Sequence, residues 1–196
     1  SNLVHRFDTQ SNSWLSNGAN IPIAIDDQVQ GVWKDSLIYV VTGWSDDGNV
    51  PYVQIYDPAL DQWQVGTLVP DNAVYKAFGA SGYIFEDTIY YFGGAAFGQN
   101  FPIQGQLRKG IINPEDPTQI TWSSQILQNG LVGYRTGAVR VHDFVHWLGG
   151  SEVTYNYNGI AYNGSGGVSP AKLNLYFSPP KNVWSSNIKD GLPMDL

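Results

Sequence analysis

A chain of 196 residues is long enough to bury a core of its own, and zero cysteine excludes disulfides, thiolate chemistry and cysteine-ligated metals. The formal charge of −7, with only 10 Lys plus Arg, leaves no basic stripe to neutralise phosphates or to dock on anionic lipid, so nucleic acid is not an expected partner. No run of ~18 apolar residues occurs, which excludes a membrane-spanning helix.

Taken in chain order, the apolar stretches are short, rich in β-branched and aromatic residues, and bounded by Gly, Pro, Asn and Asp. No window carries a three-to-four residue apolar period, so the reading is strand after strand with almost no helix. Leu3–Trp14 reads as two short strands joined by a turn. Gln28–Val65 reads as a complete unit, with inner strands near Val29–Trp33 and Leu37–Thr42 turned at Lys34-Asp35-Ser36. Phe78–Trp122 is a second unit with its inner hairpin turned at Glu86-Asp87. Gly137–Trp184 is a third, turned at His142-Asp143, and Ser185–Leu196 is a polar tail.

The units share a register. Leu37–Gly43 (LIYVVTG), Thr88–Gly94 (TIYYFGG) and Phe144–Gly150 (FVHWLGG) each end an apolar run at a small residue plus glycine, and their final glycines lie 51 and 56 positions apart. Downstream, Asp57 stands six residues before Trp63, as Asp8 does before Trp14 and Ser178 before Trp184; the second unit has a looser segment ending at Trp122.

At these residues the chain resembles the kelch repeat, marked by paired glycine, a Tyr-Asp or similar pair and a following Trp. The resemblance covers nearly the whole chain, residues 1–196, as a single region. It implies an all-β kelch-type β-propeller, or a partial one of about three and a half four-stranded blades. Leu3–Trp14 would then be the outer strands of a partial blade. A ring of that size leaves an open edge, so the expectation is a piece of a longer propeller or, alternatively, closure by pairing with another chain. Trp63, Trp122 and Trp184 are expected to pack between blades.

Strand parity assigns loops to faces. The second-to-third strand connections and the blade-to-blade segments emerge on one side, the inner hairpin turns on the other. On the first side lie Trp44–Tyr52, Ala95–Ile103 and the long Ser151–Pro170 insertion, together with Asp26-Asp27, Tyr75-Lys76 and Tyr134-Arg135. This crowding of rings, amides and a few charges suits a protein or glycan ligand. The candidate ligand-binding residues are the rings Trp44, Tyr52, Phe97, Phe101, Tyr155 and Tyr157, with Asp46, Asn100, Glu152 and Arg135 as polar contacts.

No catalytic residue, metal or cofactor is expected. The run Asp46, Asp47, Asn49 offers hard oxygens but lacks the spacing of a calcium loop. The 3 histidines do not cluster, and His146 aligns with Tyr39 and Tyr90, which points to packing. A copper chemistry like that of galactose oxidase is excluded without cysteine. The alternative enzyme class is that of sialic-acid mutarotases, which resemble kelch propellers and need only acid–base groups; there Arg135 would hold a carboxylate while Glu152 moves a proton beside Asp27. The resemblance to secreted and envelope kelch proteins of bacteria implies an extracytoplasmic location.

Overall fold

The computed structural model describes residues 2–46, 48–127, 130–154 and 171–186, and among these every regular element is a β-strand. Three four-stranded antiparallel sheets follow one another along the chain. The first joins β3 (Val29–Trp33), β4 (Leu37–Val41), β7 (Val53–Asp57) and β8 (Gln62–Val65) in that order. The second runs β9 (Phe78–Phe85), β10 (Thr88–Ala95), β11 (Gln106–Asn113), β12 (Asp116–Ile126), and the third β13 (Gly137–Val141), β14 (Phe144–Leu148), β15 (Asn174–Ser178), β16 (Val183–Ser186). Ahead of them β1 (Phe7–Asp8) pairs with β2 (Ser13–Trp14), and β5 (Trp44–Ser45) pairs with β6 (Gly48–Asn49) inside the first long connection.

Turn chemistry explains the repeat spacing. In each outer hairpin of the Asp-to-Trp type, a residue two before the tryptophan takes a left-handed backbone: Asn12 (φ 53°), Asp61 (φ 53°) and Asn182 (φ 49°). Asn and Asp tolerate that conformation best after glycine. The aspartate that opens the turn accepts from its own backbone, Asp8 Oδ1 from the Gln10 amide at 2.8 Å and Asp57 Oδ1 from the Ala59 amide at 2.9 Å. The inner hairpins turn at Lys34-Asp35, Glu86 and His142, all with positive φ.

Alternate residues of each strand then face opposite neighbours. Tyr39, Val41, Val53 and Ile55 of the first sheet meet Ile84, Ile89, Tyr91, Ile112 and Ile120 of the second. The other face of the second sheet, with Phe85, Tyr90, Phe92 and Leu107, meets Val145, Trp147, Leu175 and Phe177 of the third. Polar tips stitch the same seams: Trp33 Nε1 donates to Asp87 Oδ1 at 2.9 Å, Tyr39 Oη to the Pro117 carbonyl at 2.8 Å, and Trp147 Nε1 to the Ser81 carbonyl at 2.9 Å. The first strands β3, β9 and β13 lie side by side at the centre, close enough that a Cβ on Gly31 would stand 2.7 Å from Ile84 Cγ1. Trp122 packs against Tyr91 and the first seam, and Trp184 against the second. Trp63 stacks on Tyr56 and donates to the Ala19 carbonyl, joining the first sheet to the segment before it.

Candidate functional site

Three equivalent junctions build the loop face. The residue after each terminal glycine pairs with the residue entering the same sheet: Trp44 with Asp26, Ala95 with Phe78, and Ser151 with Tyr134. Gly43, Gly94 and Gly150 therefore occupy equivalent places in successive sheets. The next residue of each entry segment is left-handed: Asp27 (φ 49°), Gly79 (φ 65°) and Arg135 (φ 53°). These three form a chain of hydrogen bonds across the centre, the Gly79 amide donating to Asp27 O at 2.8 Å and the Arg135 amide to Gly79 O at 2.7 Å. The second entry is thus Phe78-Gly79 rather than Tyr75-Lys76, whose side chains and backbone serve the loop instead: Tyr91 Oη donates to the Tyr75 carbonyl and Lys76 pairs with Asp71.

On this frame five rings from all three sheets converge. Trp44 lies edge-on to Phe78 (5.3 Å between centroids) and to Phe101 (5.7 Å), and tilted against Phe97 (6.0 Å). Phe78 also meets Phe101 at 5.6 Å and Tyr134 at 5.7 Å. Phe78 and Tyr134 are buried, Trp44 and Phe101 half-buried, and Phe97 is 62% exposed. The first loop is held by Thr42 Oγ1 on the Val50 carbonyl and by Asn49 Nδ2 on the Ala95 carbonyl at 2.9 Å, which crosses to the second sheet. Thr154 Oγ1 donates to the Phe101 carbonyl at 2.6 Å, which ties the third loop to the second. Between those two loops opens a cavity of about 370 Å³, bordered by Asn100, Phe101, Ile103, Val132, Glu152 and Thr154.

Trp44, Phe97 and Phe101 thus come together as the sequence suggests, while Asn100 and Glu152 meet at the cavity beside Phe101. Asn100 and Phe101 both have positive φ, 63° and 43°, a costly conformation for a ring-bearing residue and one that concentrates at functional sites. Asp46 is exposed and accepts the Trp44 indole on its backbone carbonyl. Tyr52 is half-buried and contributes its carbonyl to the Thr42 amide, its ring standing apart from the five. Tyr155 and Tyr157 lie outside the described residues, as does Asp47 of the calcium reading. Among the described residues no three His, Cys, Asp or Glu side chains gather. His146 stacks on Tyr176 at 5.5 Å, a packing role.

Arg135 Nη2 pairs with Asp27 Oδ2 at 2.6 Å at the mouth of the centre. Arg135 borders a different cavity from Glu152, one of about 380 Å³ shared with Val139, Leu148 and Gly150.

Sequence reasoning misses Arg108. Its guanidinium is buried with no carboxylate partner among the described residues and donates to the carbonyls of Val74, Gly93 and Gln106 and to the Gln104 side chain, over the Tyr91 ring. Burial lowers its pKa to about 10, so it stays charged at neutral pH. It clamps the second loop and the entry segment from beneath. The only signal was a cation set among the alternating apolar positions of β11.

No family model matches the chain. Kelch-like protein 36 of Bos taurus is 22% identical over 152 residues, which is 78% of this chain and 23% of that protein. The solved structure of YjhT superposes with a TM-score of 0.72 at 13% identity, covering 98% of this chain and 60% of the YjhT chain. The fold is that of a kelch-repeat β-propeller. Its blades are the three four-stranded sheets, and the five-ring platform belongs to the propeller face that carries the second-to-third strand loops. The chain spans about a quarter of the length of the curated relative that it matches and 60% of the YjhT chain.

Proposed function

We propose that this propeller is a non-catalytic recognition module that binds a protein or glycan, met outside the cytoplasm, through the loop face. The observation that carries the reading is the platform itself, where an exposed ring, Phe97, stands on a half-buried aromatic bed beside a cavity edged by an amide and a carboxylate. Rings bury ligand surface at low entropy cost, and polar groups at the rim set orientation. Probing glycan and peptide arrays with the protein tests this. Ligands retained by the unaltered chain are expected to be lost by Phe97→Ala and kept by a Glu86→Ala change at a turn on the opposite face. Loss through Glu86 with Phe97 indifferent would defeat the reading.

A sugar-modifying activity of mutarotase type is a second reading, favoured by the Asp27–Arg135 pair set on two left-handed residues at the mouth of the centre. It calls for anomerisation of a sugar acid, followed by NMR, that disappears in Arg135→Met. No catalysis by the unaltered protein ends it.

A further inference from the structure

We propose that the cavity between the second and third loops receives a lysine or arginine side chain of a protein ligand. This rests on the reading of the loop face as a recognition surface and chooses peptide over glycan. Among the described residues Glu152 is the one charged residue bordering the cavity; the remainder are apolar or neutral, with Phe101, Ile103 and Val132 forming an apolar wall. A lone carboxylate at the rim of an apolar slot matches a long side chain that is apolar along its stem and cationic at its tip. The half-buried Phe101 ring adds a surface over which a cation is favoured.

Charge on the face points the same way. Among the described residues its connections carry Asp26, Asp27, Asp46, Asp71 and Glu152 against Lys76, Arg135 and Lys172. Arg135 is engaged by Asp27 and Lys76 by Asp71, both at 2.6 Å, whereas Glu152 makes no ion pair with any described residue. The carboxylate is therefore available to an incoming cation, and the whole chain, at −7, draws cationic ligands toward it. The site is also shaped in advance. Thr154 Oγ1 fastens to the Phe101 carbonyl, and Phe101 is wedged against Trp44 and Phe78, so the wall does not have to assemble around the ligand.

The test uses two probes of equal shape and different charge, n-butylguanidinium and n-butylurea, titrated into the isotope-labelled protein and followed by amide NMR. The cation should shift the amides of Phe101, Ile103 and Thr154 saturably and bind about fivefold more tightly than the urea, the upper range for an exposed ion pair. Glu152→Gln should erase that preference while leaving the spectrum of the rest of the protein in place. Val132→Phe, which fills the slot without touching charge, should remove binding of both probes. Equal affinity for the two probes, a preference that survives Glu152→Gln, or no shift of these amides would overturn the proposal. If array binding through Phe97 persists in any of those cases, the recognition surface stands and only its cationic ligand is lost.

Discussion

Aromatic residues fill both the seams between blades and the loop face, yet the two regions hold them differently. In the seams Tyr39, Tyr91, Phe92 and Trp147 are sealed between two sheets, with Trp147 at 0% exposure. Each comes from a strand whose alternation points it at the neighbouring blade, so one rule places all of them. On the loop face the rings arrive from different blades, and cover is uneven: Phe78 and Tyr134 are buried, Trp44 and Phe101 only partly covered, and Phe97 is the extreme at 62% exposure. Seam rings are committed to stability. The loop rings are arranged rather than sealed, and what remains uncovered is available to a ligand.

That contrast can be broken most severely at Trp147. Truncation to alanine removes a ring from a closed seam together with its bond to the Ser81 carbonyl, and should lower unfolding free energy by about 3–5 kcal/mol in urea titration. A cost under ~1 kcal/mol would mean that the second and third blades do not pack as one core. Arg108→Ala comes next, because it strands several buried carbonyl and amide oxygens; a loss of about 3 kcal/mol is expected. Since those oxygens belong to Val74, Gly93 and Gln104, the same change should also weaken ligand capture on the loop face, coupling the two regions.

Acid sharpens the comparison on the turn side of the seams. Hydrogen bonds from Lys34 and Trp33 hold Asp87 below the usual 3.8, Tyr56 and the Ala19 amide do so for Asp61, and Thr118 for Asp116. Their native forms release protons more readily than the unfolded chain, so this stability is complete above pH ~4 and drains away as pH falls below it. Thermal midpoints measured from pH 6 down to pH 2.5 should decline through that window, and Asp87→Asn should flatten the decline. The smallest effect on stability is expected for Phe97→Ala, within about 0.5 kcal/mol in the same urea titration. A larger loss would show that Phe97 is part of the core and not an offered surface.

Much of the fold was readable because its causes are local. Short apolar, β-branched and aromatic runs ending at Gly43, Gly94 and Gly150 announced the inner hairpins, and the interval from Asp57 to Trp63 marked an outer turn. The interval's cause, a left-handed Asp61 with the Asp57 carboxylate holding the turn amides, is itself short-range. The site was only partly readable. Trp44, Phe97 and Phe101 stand in loops conspicuous for their rings, and Asn100 and Glu152 could be placed on the right face by strand parity. Their contacts could not: Tyr134 could be placed on that side but not against Phe78, which reads as an ordinary strand residue, and Thr154 reads as part of a polar loop. Nothing local tells that Thr154 fastens to the Phe101 carbonyl or that Asp27 reaches Arg135.

By itself the order of residues determined the inner hairpins and their turns, the alternation of faces along each strand, and which connections share a side of the molecule. Those follow from backbone geometry repeated every two residues and from turns settled within four or five. Only the tertiary structure decided that five rings meet as a platform, that Glu152 borders an apolar slot with no cation among its described residues, and that Arg108 is spent on carbonyls beneath it. Such contacts join residues from different blades, and their geometry depends on how the sheets stack around the centre, a sum of packing across every seam that no single segment encodes.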